Sequence, residues 1–411
     1  MKILSKDINL INILIFLFPI LIGTIKITGN LILLILVIYG IYLIFTEKIN
    51  PLNDERTRLI SIVSLSYFFI YAFSIFINHG FDGNFFHLGR KLHYLLIPFL
   101  CIALLKSTLD FETKILSIKL ASISMGIIAL LELFLSSEKA VVRASGMVNA
   151  NIFADIAALF VVFSVLNFRE ESKSSKTLSI VAVILGLISV IGSGSRGSWI
   201  ALFGMFIIYI FLVFPSFKDF KFKFFSLLGL FFLSIAIFFM IPSAQDRFNL
   251  GVQNTSDSLS NIENQSSVGE RFLMWRAGIE AFKESPIFGY GYRSANQAAA
   301  LYAPTEAHRI KDYTHLHNEY ITTLVSSGIL GLVALFFMLF LPFKRFSSVL
   351  KQNFYVKKYS QMGLILISGY LLFGISHIAF GEEHINAVFI FFISTALLGI
   401  YDSTITENHS G

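Results

Sequence analysis

Charge is scarce in this chain. Only 14% of its 411 residues are Asp, Glu, Lys or Arg, where a soluble domain carries about 25%. A water-soluble surface cannot be built from so little charge, so a soluble globular fold is excluded. There is a single cysteine, Cys101. No intrachain disulfide can form, and cysteine usage says nothing of the redox compartment. No Asp-x-Asp step occurs anywhere, which removes a common carboxylate pair for holding a divalent metal. Glu382, Glu383 and His384 form an acidic cluster without ligand spacing and read as a solvated turn. Gly289-Tyr290-Gly291 has no lysine-bearing phosphate loop after it and reads as a turn. No metal and no cofactor is expected. The basic residues are scattered among short loops, so no nucleic-acid partner is expected either. No repeat of fixed period and no low-complexity tract is present.

Hydrophobicity takes the place of charge. Apolar residues make up 55% of the chain, 45 of them Phe, and the mean hydropathy is +0.74. A membrane span needs about 20 predominantly apolar residues. Runs near that length centre on 8–25, 30–46, 59–78, 92–106, 114–136, 151–167, 178–194, 198–214, 224–242, 319–341, 360–380 and 385–402. In hydrocarbon every backbone N–H and C=O must be bonded within the segment, so runs this long are helices rather than barrel strands. The first run has Lys2 and Lys6 ahead of it but no small-residue cleavage site behind it, and it reads as a retained helix. The expected fold is an all-α polytopic membrane protein with about 12 transmembrane helices.

The short loops set the orientation. With the N-terminus in the cytoplasm, the inside segments hold 19 basic residues and the short outside loops hold 6, Lys26, Arg90, Lys91, Lys139, Arg143 and Arg196. The positive-inside rule then puts both termini in the cytoplasm. Residues 1–242 hold the first nine helices, 243–318 form one large loop on the far side of the membrane, and 319–411 hold the last three. Residues 243–268 are rich in Ser, Asn, Gln and Asp and are expected to be irregular. From Gly269 to Ser285 apolar residues recur at three- and four-residue spacing, Phe272, Trp275, Ile279 and Phe282, until Pro286 stops the helix. That pattern suits an amphipathic helix on the membrane surface, with Arg271 near the lipid headgroups.

Chemistry-bearing residues gather on the outside face. Ser193-Gly194-Ser195-Arg196-Gly197-Ser198-Trp199 is a tight turn between two spans. Arg196 reads either as a snorkelling arginine or, with small neighbours all round, as a planar fork for phosphate oxygens. Gly269-Glu270-Arg271 opens the loop helix. Thr314-His315-Leu316-His317-Asn318-Glu319 stands at the mouth of the tenth span. There the helix dipole disfavours an added proton on His317, and a neutral imidazole can accept one from an alcohol. Beyond it, Gly328 and Gly331 would let another helix approach. Arg143-Ala144-Ser145-Gly146 followed by Asn149-Ala150-Asn151 is a weaker polar turn.

With these residues in view, the chain resembles the O-antigen ligase family and the related O-antigen polymerases. The family pattern is His, then Asn, Ser or Gln, nine residues, Gly, two residues, then Gly, Thr or Tyr. His317, Asn318, Gly328 and Gly331 match it completely. Arg196 matches the family's arginine in a short outer turn, and Arg271 its arginine in the large loop. The stretch from Ser267 to Asn318 is similar to the ligase loop, including Ser285-Pro286 and the Glu306…Arg309 region. The resemblance implies a metal-independent, inverting glycosyltransferase working on the periplasmic face of the bacterial inner membrane. Its donor would be O-antigen on undecaprenyl diphosphate and its acceptor a hydroxyl of lipid A–core. His317, Arg196 and Arg271 would be catalytic, with Arg143, His315, Asn318 and Trp275 binding substrate around them. Two alternatives stay open. An O-antigen polymerase would join two lipid-linked glycans with similar residues. A transporter of lipid-linked sugar also fits the span count, although Glu132, Asp155 and His377 lie near span ends rather than mid-membrane.

Overall fold

Every apolar run named above falls on a helix. The structure, a computed structural model, describes residues 10–25, 27–80, 88–135, 143–213, 220–260, 267–292, 294–303 and 310–408. Lys2, Lys6, Lys26, Lys139, Lys218, Glu306 and Arg309 lie outside them. In chain order the helices are α1 (Leu10–Ile22), α2 (Thr28–Glu47), α3 (Glu55–His79), α4 (Leu92–Leu104), α5 (Phe111–Leu135), α6 (Ala150–Phe163), α7 (Lys173–Gly192), α8 (Arg196–Val213), α9 (Phe220–Met240), α10 (Pro242–Ser260), α11 (Ser267–Glu284), α12 (Ala295–Ala300), α13 (Glu319–Val349), α14 (Phe354–Ser376) and α15 (Glu383–Asn408). No strand occurs among the described residues. The protein is an all-α polytopic membrane protein.

Nine described helices, α2, α3, α5, α7, α8, α9, α13, α14 and α15, are long and apolar enough to cross a membrane. The other three runs are shorter: α1, α4 and α6 have 13, 13 and 14 residues. At 1.5 Å per residue they reach about 20 Å, less than a hydrocarbon core of about 30 Å. Nearly all of α6 is buried, from Ala150 through Phe163 except Asn151, so other helices enclose it. By contrast Phe45, Phe69, Phe73, Phe134, Phe225 and Phe239 are exposed on the outside of the bundle. Such outward phenylalanines fit lipid, not water.

Polar pairs mark the two ends of the bundle. At one end Lys106 meets Glu47 at 2.6 Å, Lys119 meets Glu171 at 2.6 Å and Lys358 meets Glu170 at 3.0 Å. These contacts gather the α2, α4–α5, α6–α7 and α14 termini. At the opposite end Arg90 meets Glu382 at 3.3 Å, His79 Nε2 lies 2.8 Å from the Tyr290 carbonyl, and Arg143 Nε donates to the Ser193 carbonyl at 2.6 Å. All the candidate residues belong to that second end.

One expectation for the loop changes. The Pro242–Ser260 segment is helical, not irregular. Proline supplies a preset φ for a first helical turn. The Gln245 side chain then donates to the Phe239 carbonyl at 3.0 Å, and Phe248 packs edge-on against Phe238. Tertiary contacts with α9 therefore carry a sequence of low intrinsic hydrophobicity into a helix. The expected helix after it forms as α11, with its phenylalanine–isoleucine face turned outward, as suits a helix lying on the membrane surface. Met274, Ala277, Gly278 and Ala281 are buried, while Phe272 and Ile279 stay exposed. Small side chains let the α11 backbone come close to Leu316 and Ile321. That leaves the bulkier face outward, where lipid can cover it.

Candidate active site

A polar cavity of about 80 Å³ lies where the ends of α6, α8, α11 and α14 meet. Arg143, Asn151, Asp155, Ser195, Arg196, Ser198, Arg271, Ser376 and His377 line it. The volume suits a few waters or roughly one phosphoryl group. Three guanidiniums and one carboxylate share it.

Local structure explains how each is aimed. Ser193 closes α7 by donating its hydroxyl to the Val190 carbonyl at 2.7 Å, and accepts the Ser195 N–H at 3.1 Å. The chain reverses there, and Arg196 becomes the first residue of α8. Ser195 and Ser198 hydroxyls pair at 2.8 Å, and Ser198 donates to Asp155 Oδ1 at 2.6 Å. Arg143 is strapped across the same turn. Its Nε donates to the Ser193 carbonyl and its Nη2 to Asn151 Oδ1 at 2.8 Å. Asn149 caps α6 from its side chain. Two helix N-termini, α6 and α8, thus face the cavity beside three arginines. Each N-terminus adds about half a positive charge, and the set has the oriented N–H groups and guanidinium forks that suit an anion.

The histidines stand beside this cavity. His315 and His317 rings are 4.4 Å apart and His315 lies 5.8 Å from His377. His377 is on the cavity wall, whereas His317 is not among the lining residues. The His317 N–H donates to His315 Nδ1 at 3.1 Å, so a neutral His315 carries its proton on Nε2. Burial, and then the nearby Arg271 guanidinium, push the His317 imidazole down to about 4. Burial and the neighbouring His317, His377 and Arg271 also hold His315 well below the usual imidazole range. His317 Nδ1 is sealed inside with no hydrogen-bond partner among the described residues. Its backbone is left-handed, with φ 52°, which costs a non-glycine residue roughly 1–3 kcal/mol. Trp275 holds the strained turn by donating Nε1–H to the Leu316 carbonyl at 2.9 Å. Tyr313 stacks edge-on against His317 at 5.6 Å and donates to Glu270 at 2.9 Å.

The spacing from His317 to Gly328 has a structural cause. Asn318 caps α13, accepting the Ile321 N–H at 3.0 Å, and its Nδ2 donates to the Ile375 carbonyl at 3.0 Å. Two turns later α13 breaks, with Ser327 at φ −138° and Gly328 at φ 63°. What approaches there is not the helix expected from the glycines. It is the turn after α11: Ile329 N–H donates to the Pro286 carbonyl, Tyr290 N–H to Val325, and Gly291 N–H to Ser326, all at 2.8 Å. A Cβ on Gly328 would run into the Ile287 carbonyl. Buried backbone groups freed by the break are thus bonded again by the α11 turn, as a segment at membrane depth requires. The same joint locks the helix carrying Arg271 to the helix that follows His317. Gly328→Val should therefore lower the melting temperature of the purified protein markedly, since it adds both left-handed strain and a backbone clash, together worth several kcal/mol or about 3 kcal/mol at least. Gly331→Ala brings a Cβ against the Ser327 side chain of the same helix rather than against backbone, without left-handed strain, and should cost less. Equal melting of Gly328→Val and parent protein would contradict the joint.

Arg143, Arg196 and Arg271 come together in one cavity. His317 and His315 flank it, Trp275 braces their turn, and Asn318 is a cap and a tie rather than part of the wall. Asn151, Asp155, Ser198, Ser376 and His377 line the cavity without having been singled out as site residues. Their only sequence signal is a polar side chain at the end of an apolar run. Among the described residues no group of three His, Cys, Asp or Glu is placed to hold a metal ion.

Comparison with known proteins covers part of this site. Residues 181–336 match the O-antigen ligase family, Wzy_C. The resemblance carried by His317, Asn318, Gly328 and Gly331 is thereby borne out. The matched stretch holds Arg196, Arg271, Trp275, His315 and His317, while Arg143, Asp155, Ser376 and His377 reach the cavity from outside it. The chain is also 27% identical over 132 residues to an uncharacterized protein of Haemophilus influenzae, covering 31% of this chain and 33% of that one. It is 32% identical over 93 residues to the exopolysaccharide production protein ExoQ of Rhizobium meliloti, covering 21% of this chain and 20% of that one. The chain thus spans about a third and a fifth of these relatives' lengths.

Proposed function

We propose that this protein is an O-antigen ligase, an inverting, metal-independent glycosyltransferase that moves a glycan from undecaprenyl diphosphate to a hydroxyl of lipid A–core. The convergence of Arg143, Arg196 and Arg271 on one cavity, beside a histidine turn, is the observation that carries the reading. The acceptor O–H loses its proton to His317 as its oxygen attacks the anomeric carbon. The bond from that carbon to the diphosphate breaks with its electron pair, and the leaving diphosphate grows more negative against the arginines. At an effective dielectric near 20 one charge pair at ~4 Å is worth roughly 4 kcal/mol. Only the part that strengthens as the bond breaks speeds the step. With His317 Nδ1 sealed, Nε2 is the nitrogen that meets the acceptor.

An apolar groove supports a lipid-borne donor. Val190, Trp199, Leu202, Leu230, Phe238 and Phe248 are among the walls of a cleft of about 510 Å³ between α7, α8, α9 and α10. It opens one helical turn from Arg196, so a lipid stem lying there would present its diphosphate to the cavity. Orientation follows the charge rule: both termini in the cytoplasm of a bacterial inner-membrane protein, with the site on the periplasmic face.

A second reading, a polymerase joining lipid-linked repeat units, would use the same residues, and one relative is named for exopolysaccharide production. Lipopolysaccharide from a strain lacking the gene separates the two on a gel. Bare core with long polymer left on its lipid carrier is the ligase result. Core bearing a single repeat is the polymerase result and would overturn the first reading.

The pH dependence follows from the histidine. Below about pH 4 the free enzyme's His317 is protonated and cannot accept, so kcat/KM should rise through that region and be flat by pH 6. Bound diphosphate offsets the Arg271 charge, so the acid limb of kcat should lie at higher pH than that of kcat/KM. Coincident limbs would remove the coupling. Stability has the same sign. Between about pH 4 and 6.5 the unfolded imidazole binds a proton that the folded one refuses, so stability falls as pH drops through that window.

A further inference from the structure

Lys91 and Glu319 are buried with almost no exposure, at 0% and 1% of their side chains, and their charged atoms are 4.0 Å apart. That is longer than a hydrogen-bonded ion pair, which closes to about 2.7–2.9 Å. Their short bonds go elsewhere. Lys91 Nζ donates to the Phe380 carbonyl at 2.7 Å and to Tyr67 Oη at 2.7 Å. Glu319 Oε2 accepts the Phe380 N–H at 2.9 Å, and its Oε1 accepts from Thr323 at 3.3 Å. Tyr71, whose ring centroid is 4.3 Å from Nζ, bonds Thr323 in turn at 2.9 Å. The two charges therefore grip the backbone of one residue from both sides.

That residue is three positions after His377. On the other side of His377, the Ile375 carbonyl is held by Asn318. The segment bearing Ser376 and His377 is thus tied at both ends to Asn318 and Glu319, the two residues that follow His317. Stability alone gives no reason for charge here. A buried pair commonly stabilises no better than well-packed apolar side chains of the same size. Two charges on opposite sides of one backbone unit do, however, define its position, which an apolar contact does not.

We propose that Lys91 and Glu319 are positioning residues, a charged clamp on Phe380 that sets the His377 wall of the cavity relative to His317. The inference rests on the transfer reaction proposed above for its kinetic consequence, but not for its structural one. Displacing catalytic geometry by about 1 Å can cost on the order of 10²-fold in rate.

The test uses the full chain, purified in lipid nanodiscs, with Lys91→Met, Glu319→Gln and the double variant. Each is measured for melting temperature, for transfer kinetics, and for labelling of His317 and His377 by diethyl pyrocarbonate, read by mass spectrometry. Either single variant strands one buried charge and should melt lower. The double variant should melt near the parent, yet show kcat down about 10²-fold, donor KM within about two-fold, and several-fold faster labelling of both histidines. A double variant that regains kcat with its stability, or labels at the parent's rate, overturns the clamp. Should the double variant not fold, Lys91→Arg replaces it, keeping the charge but moving it. Slower turnover with faster labelling supports the clamp, and parental values for both overturn it. Absence of transfer in the parent protein would instead count against the ligase and polymerase readings, with melting and labelling still deciding the clamp.

Discussion

His317→Asn should reduce transfer by about 10²–10⁴-fold, the usual contribution of a positioned base, while leaving the protein at least as stable as the parent. Both halves come from the same turn. Among the described loop residues beside the arginine cavity, His317 keeps an imidazole nitrogen that can accept the hydroxyl proton. At the same position the backbone has φ 52°, a conformation that asparagine tolerates better than histidine. Asparagine also keeps the backbone N–H that donates to His315. A turn kept for stability would not hold a residue in that strain. Activity assays paired with thermal melting decide it. Full activity in His317→Asn removes the base, and a large fall in melting temperature would show that the histidine is structural.

Arg196→Gln and Arg271→Gln should each lower kcat by about 10²–10³-fold, the range for loss of one charge-stabilising donor at a reacting centre. The double variant should lie much closer to the singles than the product of the two losses, because the two forks act on one leaving group. Lysine at either position should rescue only in part. It restores charge but not the planar pair of N–H groups that matches phosphate oxygens. Thermal stability should hold or rise in the glutamine variants, since three like charges around an 80 Å³ space repel when no anion is bound. A multiplicative double variant would mean that the arginines serve different groups. Undiminished singles would sink the leaving-group role altogether.

Some of this was readable from residue order and some was not, for identifiable reasons. Span positions were readable because a helix in lipid must be continuous and apolar over its own length, a local property. The clustering of basic residues at one end was readable for the same reason: each loop's charge is its own. The capping Asn318 next to His317 and the two glycines beyond were readable as a motif. The role of Gly328 was not, because its partner is the Pro286–Gly291 turn and not a second helix. The helicity of Pro242–Ser260 was missed as well, since its support comes from α9 side chains and not from its own composition.

By itself, then, the sequence determined a helical membrane protein, its charge-sorted ends, and the His317–Gly331 motif on which the resemblance rests. Only the tertiary structure brought Arg143, Arg196 and Arg271 around one cavity, placed Asp155 and His377 in its wall, and set Lys91 against Glu319. Periodicity and hydropathy act between neighbours along the chain. A cavity is made by residues as far apart as Arg143 and His377, and which helix ends meet is decided by how whole helices pack.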